Sequence, residues 1–235
     1  MIKKNSKEQE FKNFEDLSQE WWNPKGKFKI LHQILPLRIR YILDNIDNNN
    51  ISNLTILDLG CGGGLTCEPL ARLGANLTGI DFVQKNIKVA KDHSINSNLN
   101  INYVNADLEK IKFKKKYDVV LLLEVIEHLD NWPSLIKKIK KILNPKGTLI
   151  ISSINKTYLS KIFAIDVAEN LLRWVPKNTH SYEKFVNPKN LKKILIKNKL
   201  LFTNIMGMNY NPIIREWKLN KEFYPINYFC TAKNN

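Results

Sequence analysis

The chain has 235 residues, with 37 lysines and arginines against 22 aspartates and glutamates, and its formal net charge is +15. Hydrophobic residues make up 43% of it and charged residues 25%, which is typical of a globular protein and too apolar for a disordered one. No uninterrupted apolar run approaches the roughly 20 residues that cross a bilayer, which excludes a membrane-spanning protein. Three cysteines without a framework spacing indicate a reducing compartment, so we expect a cytoplasmic location.

Residues 1–50 precede any strand pattern, and we predict that they form a helical leader. Apolar and aromatic side chains recur through it, namely Phe11, Phe14, Leu17, Trp21, Trp22, Leu31, Ile34 and Leu37. Segments added to the rim of an open α/β sheet lie where its ligand binds. We therefore expect this leader to act as a lid.

Residues 51–153 alternate short apolar runs with amphipathic segments, a pattern typical of βαβ units in a parallel sheet. Five strands are predicted, at Thr55–Leu59, Asn76–Ile80, Ile101–Val104, Tyr117–Leu123 and Thr148–Ser152. Three helices are predicted between them, at Leu65–Leu73, Gln84–His93 and Ser134–Leu143. The pattern predicts the ligand-binding core of a single doubly wound α/β domain.

Residues 154–186 are predicted to be a helical insertion after the fifth strand. Apolar residues recur there at helical spacing, namely Leu159, Ile162, Phe163, Val167, Leu171 and Trp174, with lysines and an arginine nearby. Such a stripe suits a lid helix packed on its own domain, or a helix that lies on an anionic membrane surface through about residues 155–178. Residues 187–235 are predicted to add a helix at Leu191–Leu195 and a late strand at Asn227–Thr231.

A glycine-rich turn from Gly60 to Gly64 follows the first strand, and Asp58 stands two residues before it. Glycines allow close approach of the backbone to a ligand, and the next helix adds a positive field. A dinucleotide fingerprint requires a third glycine at position 65, which is Leu65. Asp58 instead suits a ligand with a cationic amino-acid end. Asp81 and Asp107 follow the next two strands, at the edge where such sheets bind ligands.

This loop resembles motif I of the class I S-adenosylmethionine-dependent methyltransferases. The rest of the chain is similar to one family among them, the O-methyltransferases of ubiquinone biosynthesis. The similar motifs are Trp21-Trp22-Asn23-Pro24, Phe28 to His32, Pro36-Leu37-Arg38, Glu124 to His128, Val175-Pro176-Lys177, Gly207 to Pro212 and Asn227-Tyr228. They extend over nearly the whole chain. Asn23, Lys27 and Leu35 depart from the family pattern in the leader.

The resemblance implies a Rossmann-like, mostly parallel seven-stranded sheet with helices on both faces. It also implies S-adenosylmethionine as methyl donor, bound by Arg38, Asp58, Gly60, Gly62, Asp81, Asp107 and Leu123. The implied acceptors are phenolic hydroxyls of polyprenylated ubiquinone precursors, 3-demethylubiquinol and 2-polyprenyl-6-hydroxyphenol. Such an enzyme would lie on the inner face of the membrane and meet other enzymes of ubiquinone synthesis.

Glu124, Glu127 and His128 follow the fourth strand at spacing i, i+3, i+4, which places them on one face if a helix begins there. In the resembled family this pattern is assigned to magnesium, so the three side chains are candidate Mg²⁺ ligands. Alternatively, His128 is the catalytic base and Glu127 orients it. A third interpretation is that the acids merely complement a helix dipole.

Two other functions remain open from the sequence. One is a methyltransferase that acts on a different small acceptor. The other is an RNA-binding methyltransferase, suggested by the charge of +15. The basic residues are spread along the chain without forming one stripe, and strand four does not lead into the motif of base-methylating enzymes. For these reasons we expect no nucleic-acid partner.

Overall fold

A mixed β-sheet organises the part of the chain that the computed structural model describes, which is residues 8, 11–162, 182–211, 213–214 and 216–235. Eight strands are present there: β1 (Thr55–Leu59), β2 (Asn76–Asp81), β3 (Asn102–Asn105), β4 (Tyr117–Leu123), β5 (Leu143–Ile154), β6 (Leu200–Asn211), β7 (Glu216–Asn220) and β8 (Asn227–Asn234). Their order is β3-β2-β1-β4-β5-β8-β6-β7.

The first five strands are parallel, and their order reverses beside β1. Leu59 on β1 aligns with Ile80 on β2 and with Leu122 on β4, so the carboxyl ends of the three strands are level. The chain leaves β1 and β4 toward helices on opposite faces, and open sheets bind their ligands at such a point. The glycine loop and the segment from Glu124 to His128 lie there, with Val125 packed against Gly60.

Helices cover both faces of the sheet. They are α1 (Lys29–Asp44), α2 (Cys67–Arg72), α3 (Gln84–Asn96), α4 (Trp132–Ile142), α5 (Tyr158–Lys161) and α6 (Pro188–Lys197). Residues 11–16 are also helical. One apolar core lies under α4 and α6, and a second lies under α1, α2 and α3. The α4 and α6 helices begin at Asn131 and Asn187, whose side chains accept hydrogen bonds from backbone N–H groups in the first turn.

The predicted Rossmann-like architecture is confirmed, but the predicted number of seven strands is wrong. No strand was predicted at the position of β6 or of β7, and β7 adds an antiparallel edge to β6. The β7 strand is five residues long with no buried residue, so its side chains give no core signal. The β5 strand is also longer than predicted and includes the Asn144–Gly147 segment, where the register with β4 shifts.

The leader packs on the sheet through α1, whose Ile34, Tyr41 and Ile42 are buried. The Tyr41 hydroxyl lies 2.9 Å from the Thr231 hydroxyl on β8, and its ring stacks on Phe229 with centroids 4.6 Å apart. These contacts join the leader to the strand farthest along the chain. Residues 1–50 are therefore not a detached arm where the structure describes them.

The insertion is described only as far as α5 and again from residue 182. Of the predicted apolar stripe, Phe163, Val167, Leu171 and Trp174 lie outside the described residues, as does the Val175-Pro176-Lys177 motif. None of the helices in the described ranges is long and apolar enough to cross a membrane.

Candidate active site

The glycine loop turns sharply against the end of β2. The backbone N–H groups of Gly60 and Cys61 both donate to the Ile80 carbonyl, at 2.7 and 3.0 Å. Gly60 has φ +78°, and a Cβ built there would lie 2.4 Å from a methyl carbon of Val125. Gly62 also has a left-handed φ, +54°. Both backbone strain and lack of space therefore require glycine at position 60.

Asp81, at the end of β2, is buried and held in one orientation. One carboxylate oxygen accepts from Gly62 N at 3.0 Å, and the other accepts from Val83 N at 2.8 Å and from the Asn86 side chain at 3.3 Å. Burial raises the pKa of Asp81, and these hydrogen bonds oppose that rise. The carboxylate is thus fixed beside the glycine loop, and its role in binding the donor stays a prediction.

Arg38 and Asp58 are both buried and carry opposite charges. Arg38, on α1, is 5% exposed, and its Nε and Nη2 atoms have no hydrogen-bond partner among the described residues. Burial lowers its pKa, and the charges of Glu124 and Asp58 oppose that shift. Burial also raises the pKa of Asp58 to about 6, which leaves Asp58 mostly ionised at neutral pH.

The other two predicted donor-binding residues, Asp107 and Leu123, have only ordinary local contacts. Asp107 follows β3, accepts from Glu109 N at 2.9 Å and pairs with Lys110 at 3.3 Å. Leu123 is the last residue of β4 and is buried in the core on the α1 side. Their roles in binding the donor stay predictions.

Two glutamates follow β4 and are held by serines at the end of β5. The Ser152 hydroxyl donates to Glu124 Oε1 at 2.7 Å, and the Ser153 hydroxyl donates to Glu127 Oε2 at 3.0 Å. Ile154 N also donates to Glu127, at 3.3 Å. Burial, followed by the charge of Glu124, raises the pKa of Glu127 to about 8. Glu127 therefore holds a proton over much of the neutral range.

The expectation of one α-helical face for Glu124, Glu127 and His128 is wrong. Glu124 has a left-handed φ of +55°, and Ile126–His128 is a single 3-10 turn. The half-buried imidazole of His128 instead meets the leader, where its ring is edge-on to Phe14 with centroids 6.0 Å apart. His128 and Glu127 still interact electrostatically, because the charge of His128 lowers the pKa of Glu127.

The donor set does not fit the predicted magnesium site. Within the described ranges, no group of three or more His, Cys, Asp and Glu side chains is arranged to hold a metal ion. Both oxygens of Glu127 already accept hydrogen bonds, and Glu124 faces the Arg38 guanidinium at 3.8 Å. Magnesium also prefers oxygen ligands to imidazole.

The leader contributes contacts that the sequence did not predict. Trp22 Nε1 donates to the Gly63 carbonyl at 3.0 Å, and Trp21 Nε1 donates to the Asn86 side chain at 2.8 Å. Asn86, Ser152 and Ser153 are likewise new members of the site. The two serines could have been found from the sequence, since they are polar residues at the end of an otherwise apolar strand. Asn86 could not have been found in this way, because polar residues are common on an amphipathic helix.

Comparison with known proteins identifies the family of the chain. A family model described as a methyltransferase domain matches residues 31–199. The ubiquinone biosynthesis O-methyltransferase of Pelagibacter ubique is 43% identical over 234 residues, which cover 96% of this chain and 97% of that protein. That of Rickettsia felis is 42% identical over 222 residues, with coverage of 94% and 91%. The chain belongs to the ubiquinone biosynthesis O-methyltransferase family. The predicted S-adenosylmethionine-dependent methyltransferase is confirmed.

Solved structures agree with this assignment at the level of the fold. Magnesium protoporphyrin IX methyltransferase from Synechocystis, solved with bound S-adenosylhomocysteine, is 20% identical with a TM-score of 0.65, over 89% of this chain and 86% of that chain. A methyltransferase of Thermotoga maritima, described as a possible histamine N-methyltransferase, is 12% identical with a TM-score of 0.71, over 96% and 100%.

Proposed function

We propose that this protein transfers a methyl group from S-adenosylmethionine to a phenolic hydroxyl of polyprenylated ubiquinone precursors, 3-demethylubiquinol and 2-polyprenyl-6-hydroxyphenol. The single observation that carries the acceptor assignment is the identity of more than 40% with relatives of that name over nearly the full length of both chains. The match includes the leader and the C-terminal strands, which a cofactor-binding core does not require.

Arg38 and Asp58 suit the amino-acid end of the methyl donor, which carries one carboxylate and one ammonium group. The Arg38 guanidinium, whose Nε and Nη2 have no hydrogen-bond partner among the described residues, would bind the carboxylate, and ionised Asp58 would bind the ammonium. Asp81 would accept hydrogen bonds from the ribose hydroxyls, beside the tight turn that the left-handed φ values of Gly60 and Gly62 allow. Of the remaining predicted residues, Asp107 would contact the adenine and Leu123 would line the site.

His128 would act as the general base. S-adenosylmethionine, when bound, supplies an electrophilic methyl group on a sulfonium. A phenol with a pKa near 10 is ionised in only about one molecule per thousand at neutral pH, a penalty of about 4 kcal/mol. An imidazole nitrogen of His128 would take the phenolic proton as the oxygen–methyl bond forms and the sulfur–methyl bond breaks. Glu127 would orient the imidazole and, when ionised, would stabilise its charged form, since the charge of His128 lowers the pKa of Glu127.

The first experiment is methyl transfer from labelled S-adenosylmethionine to a short-tailed 3-demethylubiquinol, with and without EDTA. Because His128 is the proposed base, we expect turnover that EDTA changes by less than about twofold. Turnover that EDTA abolishes and Mg²⁺ restores would instead support a metal at Glu124, Glu127 and His128. Measurable donor binding without methylation of this acceptor would overturn the acceptor assignment.

We also propose that the insertion, residues 155–178, brings the enzyme to an anionic membrane surface, where polyprenylated substrates and the other enzymes of ubiquinone synthesis lie. Two exposed apolar side chains at its beginning support this, Tyr158 at 73% and Leu159 at 46% exposure. Lys156 and Lys161 flank them, and a basic segment with exposed apolar groups favours such surfaces.

Sedimentation with phosphatidylglycerol vesicles tests this membrane proposal. The variant L159E is expected to bind them about tenfold less tightly than the unmodified protein, since it loses a leucine side chain from the interface and adds a repelled charge. The matched control is I95E, because Ile95 is 69% exposed near the end of α3. Equal losses in the two variants, or no binding by the unmodified protein, would contradict the proposal.

A further inference from the structure

Asn86 connects the leader to the ligand-facing carboxylate through two hydrogen bonds. Its side chain, on the first turn of α3, is 1% exposed. Its oxygen accepts from Trp21 Nε1 at 2.8 Å, and its nitrogen donates to Asp81 Oδ1 at 3.3 Å. An indole N–H can only donate and a carboxylate can only accept, so chemistry fixes which end of the amide faces each partner.

The Trp21 ring lies directly on the glycine loop. A Cβ built on Gly62 would lie 2.4 Å from the Trp21 ring, and one built on Gly63 would lie 2.3 Å from Trp21 Cγ. Phe28 stacks on the other side of the indole, with centroids 4.0 Å apart and planes 12° from parallel. The Trp21 ring therefore packs directly against the glycine loop. Its hydrogen bond to Asn86 fixes the position of the leader along the loop.

We propose that Asn86 is a positioning residue for the methyl donor, which orients the Asp81 carboxylate and holds the leader closed through Trp21. This inference rests on the proposed role of Asp81 in binding the ribose. The carboxylate has three protein donors, and removing the one from Asn86 leaves Oδ1 with only Val83 N. Removing the acceptor leaves a buried indole N–H unpaired, which destabilises the closed position of the leader.

Two variants separate the two bonds. N86D keeps an acceptor for Trp21 but places a second carboxylate against Asp81. W21F keeps an aromatic ring on the glycine loop and removes the N–H donor together with part of the indole ring. N86D preserves the side-chain volume and W21F reduces it, and the thermal unfolding of each variant reports whether it folds.

Calorimetric titration with S-adenosylhomocysteine is the measurement. For N86D near pH 8 we expect a Kd about tenfold higher than that of the unmodified protein, because two adjacent carboxylates repel each other. The loss should shrink toward about threefold near pH 6, where the pair shares a proton. For W21F we expect a rise of about threefold to fivefold at both pH values. In turnover, N86D should raise the KM for the donor about tenfold and lower kcat by less than threefold.

Other titratable groups near Asp81 are Asp58 on β1 and Cys61 in the loop, and Lys85 on α3 pairs with Glu15 of the leader at 3.6 Å. The unmodified protein and W21F carry all of them, so they control for the pH dependence of N86D. An unchanged Kd in N86D at both pH values would overturn the inference, as would equal losses at both. If D81N also binds with an unchanged Kd, the proposed donor site itself is wrong.

Discussion

Replacing Arg38 with methionine is expected to weaken the binding of S-adenosylmethionine about 100-fold, because a charged hydrogen-bond pair to the donor carboxylate is lost. The guanidinium is 5% exposed and leaves Nε and Nη2 without a hydrogen-bond partner among the described residues. Its closest described acid, Glu124, lies 3.8 Å away and accepts from Ser152 instead. Glu124 and Asp58 stabilise this cation by charge alone, and a bound anion would supply the hydrogen-bond acceptor that Nε and Nη2 lack.

The same substitution is expected to leave the melting temperature of the ligand-free protein unchanged or raised. Burial lowers the pKa of Arg38, which means that the fold holds this charge at a cost that methionine does not have. The donor should then raise the melting temperature of the unmodified protein but raise that of R38M much less, in line with the weaker binding.

Arg40 supplies the control, since it lies on the same helix, is exposed, and pairs with Asp44 on the surface at 3.7 Å. R40M should bind the donor with unchanged affinity. Titration calorimetry with the donor and differential scanning calorimetry of R38M and R40M measure these two quantities, the affinity and the melting temperature. If R38M retained donor affinity but lost several degrees of melting temperature, Arg38 would be a structural counter-ion for Glu124 and Asp58.

Much of the fold follows from local sequence. The β1 and β4 strands match their predicted bounds to the residue, since both are mostly apolar runs that end at a glycine or a charged residue. The fifth predicted strand was too short and no strand was predicted at β6 or β7, because the missed residues take strand geometry from their partners. Such residues carry no pattern of their own, and pairing in the folded sheet decides their conformation.

The sequence predicted the position of site residues only where they lie at the ends of predicted strands. Asp58 and Asp81 could be placed, because parallel strands bring their carboxyl ends to one edge. The contact between Trp21 and Asn86 joins residues 65 positions apart and has no local signature. The predicted helical face of Glu124, Glu127 and His128 failed because the backbone reverses at Glu124, whose left-handed φ no sequence period reports.

Replacing His128 with alanine is expected to reduce kcat about 10²–10⁴-fold near neutral pH, the usual contribution of a general base. Without the imidazole, only acceptor that is already ionised can react. The logarithm of kcat for H128A should therefore rise by about one per pH unit up to the phenol pKa near 10. Added imidazole should restore part of the rate. A pH-independent loss without imidazole rescue would mean that His128 only supports Phe14 and the leader.

The companion variant E127Q tests whether Glu127 acts through its charge. In the native protein its pKa is raised to about 8, whereas in the unfolded chain it is near 4.3. Between these values the native state retains a proton that the unfolded chain has released, so the stability of the unmodified protein falls as pH rises. Glutamine does not ionise, and the stability of E127Q relative to the unmodified protein should grow by at most about 1.4 kcal/mol per pH unit across this window.

Urea unfolding of both proteins between about pH 5 and pH 9 measures this difference, which should level off above the raised pKa.

Activity then separates the two proposed roles of Glu127. If it orients the imidazole through a hydrogen bond, E127Q keeps much of its kcat, and if its negative charge stabilises the charged imidazole, the loss deepens as pH rises through 8. A stability difference that is flat with pH would show that burial does not hold Glu127 protonated, and the general base would then work beside a permanent carboxylate.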